Sequence, residues 1–339
     1  MPSKEKIAVI LAAHGEAETN LFTENYRVTR QTLAHASLVM PIPALLQRTI
    51  AVSSSLKKII RARTDPRCSP QNRITRDQAA ALQHYLDISA FQDLPDFEVH
   101  AAFSASPPYA ESVIEETRDC SGQIIISMAP VDSSLSCGLL CSWLKSSRSP
   151  GELGNVRVLS RFWADEQLHR LYLDHLFQSG GEKLKDQPVL RDEERILLLL
   201  FHGTLVSNEK GEVPPFQTGL EGTLGFAERL GNLIPGDRRN PYGRIMTGYL
   251  NHDVGGSWTT PSFSEICSQL QKESSVRVDL FACGYFSDGN ETIRRADELR
   301  SSTSVQDAVL IPCLNTSPEF IAYLGDRVIR AARQITRLG

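Results

Sequence analysis

The run Ile196-Leu197-Leu198-Leu199-Leu200-Phe201 ends abruptly in His202-Gly203. Six apolar residues are too few to cross a bilayer, and they suit a strand buried on both faces, as in a parallel sheet covered by helices. An imidazole then stands at the carboxyl end of that strand, the edge at which open α/β sheets bind ligands. The same phrase occurs near the amino terminus, where Ile7-Ala8-Val9-Ile10-Leu11-Ala12-Ala13 runs into His14-Gly15. A chain of 339 residues exceeds what one core usually organises. The expectation is two similar α/β domains with parallel sheets flanked by helices, each presenting a histidine toward a shared cleft.

Between these runs, strands and helices alternate, which means parallel sheets. Strands are expected at 7–13, 97–103, 123–129, 156–159, 196–201, 244–249, 276–283 and 308–313. Helices are expected over most of 21–64 with a break at Pro41-Ile42-Pro43, and at 109–119, 165–178, 218–231 and 262–271. Thr75 with Gln78 has capping-box spacing at a helix start, as does Thr316 with Glu319 beside Pro318. The segment 284–291 is expected to open a helix reaching about Arg300. Ile321, Leu324, Val328 and Ile335 share one face, so a terminal helix packs on the body. The polar stretch 179–195 reads as the region of a domain boundary. The domains are placed at 1–165, with the terminal helix 315–339 packing back, and at 166–314.

Composition removes several classes. No basic run accompanies the net charge of -4, so nucleic acid is not an expected partner. No apolar segment approaches the roughly 20 residues of a membrane span, and the first strand starts too early to leave room for a signal peptide. Seven cysteines, an odd number, point to free thiols in a reducing compartment, and hence to the cytoplasm. Cys137 and Cys141 are separated by three residues, and no Cys-x-x-Cys pair occurs.

Six stretches, in order, resemble the ferrochelatase family. Ser69-Pro70 with Asn72-Arg73-Ile74-Thr75 is similar to its Ser-Pro-Leu-Asn-Arg-Ile-Thr. Pro130 through Gly138 is similar to its proline-and-serine segment, which includes Ser133. His202 falls at the histidine of Ala-His-Ser-Leu-Pro. Gly248 through Pro261, with Trp258, resembles Gln-Ser-Arg-Val-Gly…Trp…Pro. Gly284 through Glu291 resembles Gly-Phe-Val-Ser-Asp-His-Leu-Glu, and Asn315 with Pro318-Glu319-Phe320 resembles the entry to the final helix. The family's second histidine in Asp-His-Leu-Glu is replaced here by Gly289, Asp132 stands where a tyrosine is common, and Phe201-His202-Gly203-Thr204-Leu205 lacks the proline.

That resemblance implies two Rossmann-like domains with a porphyrin cleft between them, and metal insertion into a tetrapyrrole, most directly Fe(II) into protoporphyrin IX or a related porphyrin to give heme. It implies no dissociable organic cofactor, since the metal is a substrate. Some ferrochelatases carry an iron–sulfur cluster on cysteines near the carboxyl terminus; none follows Cys313 here, so no cluster is expected. His202 is expected to bind the metal or receive a pyrrole proton, and Glu291 to relay protons or share the metal, chemistry that suits imidazole and carboxylate. His14 is either a further metal ligand or a polar group lining the ring pocket. Smaller cobalt and nickel chelatases carry His-Gly at this strand end, which keeps a sirohydrochlorin-like ring in view. A porphyrin-binding protein without catalysis is the reading from another class.

Each candidate also has a structural reading. His202 terminates a strand with its ring on a backbone carbonyl, or Glu291 pairs with Asp288 to cap a helix. His252 is a solvated loop histidine or part of the substrate wall. Trp258 packs in the core or against the ring. Arg27 and Arg30 hold propionates, as guanidinium does, or line a solvated helix face. The family includes monomers and dimers, and loose membrane association through an apolar cleft lip is compatible with the resemblance.

Overall fold

The computed structural model describes residues 6–40, 42–89, 94–179, 192–252, 255–273, 276–302, 305 and 307–336. The chain divides into two compact units, residues 1–160 with 315–339 and residues 161–314. The charged stretch 179–195 falls inside the second unit, and its residues 180–191 lie outside the described ones.

The first unit has strands β1 (Lys6–Ala13), β2 (Asp96–Phe103), β3 (Gly122–Ser127) and β4 (Val156–Leu159), all parallel, in the order β2-β1-β3-β4. Its helices are α1 (Phe22–Ser37), α2 (Ala44–Ala62), α3 (Gln71–Ile88), α4 (Ala110–Glu116), α5 (Leu139–Ser147), α6 (Pro150–Leu153) and, from the chain end, α11 (Pro318–Thr336). Ile7 through Leu11 are wholly buried, as a central strand covered on both faces requires. Ile10, Ala102 and Ile125 pack under Val113 and Ile114 of α4 and Leu140 and Leu144 of α5. On α11, Ile321, Leu324, Val328 and Ile335 are all buried, and the helix packs against α3 and the sheet.

The second unit has β5 (Asp192–His202), β7 (Tyr242–Leu250), β9 (Arg277–Phe281) and β10 (Asp307–Ile311), parallel in the order β10-β9-β5-β7, with the short antiparallel pair β6 (Leu205–Ser207) and β8 (Ser257–Trp258) beside them. Its helices are α7 (Glu166–Ser179), α8 (Leu220–Leu233), α9 (Phe263–Leu270) and α10 (Arg295–Ser302). Alternate residues of β5 divide between two cores. Ile196, Leu198 and Leu200 meet Phe263, Ile266 and Leu270 of α9. On the other face Phe201 meets Phe226 of α8, which also packs edge-on against Tyr172 of α7.

The two sheets share one connectivity: first strand, neighbour on one side, neighbour on the other, then the outer strand. β5 therefore corresponds to β1, β7 to β2 and β9 to β3. In each unit the chain reverses direction around its first strand, and that strand ends in His-Gly.

Several boundaries differ from expectation. α3 begins at Gln71, so Thr75 and Gln78 are interior and form no cap. The Thr75 hydroxyl donates to the Gln71 carbonyl, and the Gln78 amide donates to the Asn315 carbonyl at the start of the α11 approach. α11 starts at Pro318, which leaves Ser317, not Thr316, immediately before it. Residues 290–294 form successive turns, and α10 begins only at Arg295. Among the described residues no helix is long and apolar enough to cross a membrane.

One buried polar cluster ties the second sheet together. Asp279 on β9 accepts from Arg195 on β5 at 2.8 Å and from the Tyr242 hydroxyl on β7 at 2.9 Å. Burial, and then the Asp279 charge, push the Tyr242 phenol well above its ordinary value, so it stays a neutral donor. Tyr242→Phe should cost about 1 kcal/mol, measurable as a lower urea midpoint with unchanged slope.

Candidate active site

Three adjacent strands deliver one cluster to the carboxyl edge of the second sheet. His202 is the last residue of β5, His252 follows β7 by two residues, and Tyr285 and Glu291 lie in the segment after β9. Because β7 and β9 flank β5 on opposite sides, the three segments diverge from the point where the chain order reverses, which opens a crevice there.

The two imidazoles meet at Nε2, 3.3 Å apart. Glu291 Oε1 stands 3.7 Å from His252 Nε2, and the ligand atoms of His202, His252 and Glu291 all lie within 4.8 Å of one another. The other Glu291 oxygen accepts from the Tyr285 hydroxyl, and the Trp258 ring meets the His252 ring edge-on at 5.6 Å. Two facing Nε2 atoms need something between them, either a proton on one ring or a cation shared by both. Donors bound tetrahedrally at about 2.05 Å from a divalent metal stand about 3.3 Å apart. The imidazole pair has that spacing, and a carboxylate oxygen stands 3.7 Å from one of the two nitrogens.

Burial pushes the Glu291 carboxyl up, but the His202 and His252 imidazoles, the Tyr285 hydroxyl and the Arg295 guanidinium outweigh it and hold the group below its ordinary value. Tyr285 moves the other way: burial and the neighbouring carboxylate raise its phenol well above the usual range, so it remains a donor to Glu291. The site thus holds an ionised carboxylate beside two nitrogen bases, with the imidazoles exposed to incoming molecules and the carboxylate half-buried.

His202 Nε2 faces another imidazole. Asp288 accepts from the Thr292 hydroxyl and from the Cys313 backbone N–H, while Glu291 faces Tyr285 and His252. Trp258 is half-buried beside His252 rather than in the core.

The other sequence candidates lie in the first unit. His14 follows β1 at the position corresponding to His202, exposed, with Nε2 3.3 Å from the Thr32 hydroxyl. The start of α3 fastens the loop beyond it: Gln71 accepts from Gly15 N–H, and Asn72 accepts from Glu16 N–H and donates to the Ser106 hydroxyl. Arg30 is half-buried on α1 and donates to Gln47 of α2 at 3.2 Å, whereas Arg27 is exposed. Ser133 forms a reciprocal cap with Ser136 around the π-helical turn 134–138.

The repeated glycine after each histidine has one cause in both units. A Cβ on Gly203 would stand 2.0 Å from the Asn251 side-chain oxygen and 2.8 Å from the Leu250 carbonyl. On Gly15, whose φ is +85°, it would meet Phe103 Cβ at 2.7 Å. In each case the chain leaving the first strand crosses closely over the end of its neighbour, β7 or β2. Gly203→Ala should therefore displace the segment carrying His252, costing about 1–3 kcal/mol of stability and weakening Co(II) binding in a visible-absorption titration.

His252 and Tyr285 are the residues that sequence reading undervalued. The available signal was that each lies within a few residues of the carboxyl end of a strand, as His202 does. His252 also supplies the site with an imidazole where Gly289 does not.

The model of the ferrochelatase family matches residues 6–332. This chain belongs to the ferrochelatase family. It is 25% identical to the ferrochelatase of Aquifex aeolicus over 268 residues, 77% of this chain and 78% of that protein. It is 22% identical to the ferrochelatase of Helicobacter pylori strain P12 over 237 residues, covering 67% of this chain and 66% of the relative, just under two thirds of its length. Its fold is similar to that of SirB from Bacillus subtilis solved with Fe3+, with a TM-score of 0.51 at 12% identity and 96% of each chain covered.

Proposed function

We propose that this protein is a metal chelatase, a lyase that inserts Fe(II) into protoporphyrin IX or a closely related porphyrin to give heme. The observation that carries this reading is the convergence of His202, His252 and Glu291 within 4.8 Å. Family membership and the chelatase-like fold support it.

Insertion exchanges one divalent cation for two pyrrole protons. Two neutral imidazoles and one carboxylate hold a metal ion by fewer donors than the four ring nitrogens offer, so transfer to the ring is downhill. As the metal leaves, the lone pairs it vacates on His202 and His252 are free to take one pyrrole proton each. The charge of the site is then the same before and after, and no uncompensated charge is left beside a bound ring. Glu291, kept ionised by both imidazoles, stabilises the imidazolium pair and passes protons outward; Tyr285 fixes its orientation. In the same reading His14 contacts the metal or the ring, Arg30 and Ser133 belong to ring recognition, and Trp258 packs against the ring. The partners are a small tetrapyrrole and a divalent metal, with no resident cofactor.

Insertion of cobalt or nickel into a sirohydrochlorin-like ring is the second reading. The bis-imidazole donor set fits it equally, because imidazole suits Ni(II) and Co(II) as well as Fe(II), and His14 after β1 is the feature that raises it. The deciding experiment is anaerobic absorbance of the purified protein with protoporphyrin IX, coproporphyrin III or sirohydrochlorin, each supplied with Fe(II), Co(II), Ni(II) or Zn(II). Catalytic conversion to one metallated spectrum names ring and metal together. A bound, unmetallated ring in every pairing would replace the enzyme with a porphyrin carrier.

A further inference from the structure

The sequence sets apart one cysteine pair that metal insertion does not use. Cys137 lies in the π-helical turn Ser134–Gly138, and Cys141 lies one turn on in α5. Their sulfurs are 3.7 Å apart. Cys137 is buried and Cys141 exposed, and all seven cysteines are free thiols. Residues four apart in a helix have Cα atoms about 6.2 Å apart, inside the 4.4–6.8 Å that a disulfide accepts. Closing the bond asks the sulfurs to approach by about 1.7 Å and, because helical neighbours four apart hold their Cβ atoms about 5–6 Å apart against the 3.5–4.5 Å of a disulfide, asks the turn between them to tighten as well.

We propose that Cys137 and Cys141 form a peroxide-responsive dithiol in which Cys141 attacks the oxidant and Cys137 resolves the product to a disulfide. In the first step the Cys141 thiolate attacks the distal oxygen of a hydroperoxide. The O–O bond breaks, sulfur is oxidised to a sulfenic acid, and the departing alkoxide or hydroxide leaves as alcohol or water after taking up a proton. In the second, Cys137 sulfur attacks the sulfenic sulfur, the S–S bond forms, and the expelled hydroxide takes the Cys137 proton as water. Two thiols and one hydroperoxide become one disulfide, one water and one alcohol or second water. An external dithiol reverses the oxidation by exchange.

The roles follow from where each sulfur sits. Only Cys141 is open to solvent, and the buried thiol is already aimed at it. The Cys137 hydrogen bond holds the Cys141 thiol down at about 7, against the opposing effects of burial and of Asp132. Cys137 is pushed the other way, first by that hydrogen bond and then by burial. A thiol held down in this way is present as thiolate to a greater extent than an ordinary cysteine. The turn itself supplies the register: the Gly138 N–H reaches back five residues to the Ser133 carbonyl at 3.0 Å, a π-type turn of the kind found at functional sites in helices.

The test uses the full chain, reduced and then exposed to hydrogen peroxide, with remaining thiols alkylated before tryptic digestion and mass spectrometry. The fragment from Asp119 to Lys145 contains Cys120, Cys137 and Cys141. The proposal expects this fragment to lose two hydrogens and carry a single alkyl group, on Cys120, with dithiothreitol restoring all three. Cys137→Ser should leave the Cys141 sulfenic acid unresolved, raising its capture by dimedone about tenfold over the parent; Cys141→Ser should show neither bond nor capture. A parent chain that stays fully alkylated, or that gives as much dimedone adduct as Cys137→Ser, overturns the proposal. The parent measurement decides even if a variant fails to fold.

Discussion

The His202→Ala protein should insert metal about 10²–10⁴-fold more slowly than the parent, with its porphyrin-binding spectrum and urea midpoint little changed. The side chain stands exposed at the end of β5, while the apolar run behind it, Ile196 to Phe201, is buried and untouched. Exposed substitutions of that kind usually shift stability by under about 0.5 kcal/mol. What is lost is one of the two imidazole nitrogens whose 3.3 Å separation suits a shared cation. Single-turnover insertion measured beside equilibrium ring binding separates the two effects. Unchanged turnover with an intact ring spectrum would remove His202 from the chemistry and leave His252 with Glu291 as the working pair.

Glu291→Gln is the second large effect, with insertion expected to fall by about 10²-fold or more. The amide keeps the size of the side chain and can still accept from Tyr285, so the loss isolates the negative charge. That charge has a signature in stability as well. Glu291 is held below its ordinary value in the folded protein, the imidazoles, the Tyr285 hydroxyl and the Arg295 guanidinium together outweighing burial, so folding favours its ionised form. Its contribution is full above the unfolded glutamate value and is lost as pH falls through the lower folded value. The Gln variant should therefore lose stability relative to the parent above that window and approach it on the acid side. Parallel urea curves at neutral and acidic pH would show this, and an equal gap at both would mean the carboxylate is not paired as described.

Much of the architecture was legible in the order of the residues. Unbroken apolar runs such as Ile7–Leu11 and Ile196–Phe201 mark strands covered on both faces, and both are fully or almost fully buried. The apolar stripe on α11 likewise marked its packing face. Helix starts were less legible. Thr75 and Gln78 have the spacing of a cap, yet Pro70 starts α3 a full turn earlier, and capping residues inside a helix find other partners. The segment 284–291 was expected to open a helix, whereas residues 290–294 form turns, with Glu291 among them beside the imidazoles.

The sequence by itself determined two parallel sheets, a histidine at the end of each first strand, and a carboxylate after β9. Strand order was beyond it, because a strand's own residues say which faces are buried but not which neighbour supplies its hydrogen bonds. Only the tertiary structure decided that β7 and β9 flank β5, and so that His252, fifty residues from His202, faces it nitrogen to nitrogen. A metal-binding site depends on distances of a few ångströms between atoms from different strands, and those distances come into existence only when the sheet assembles.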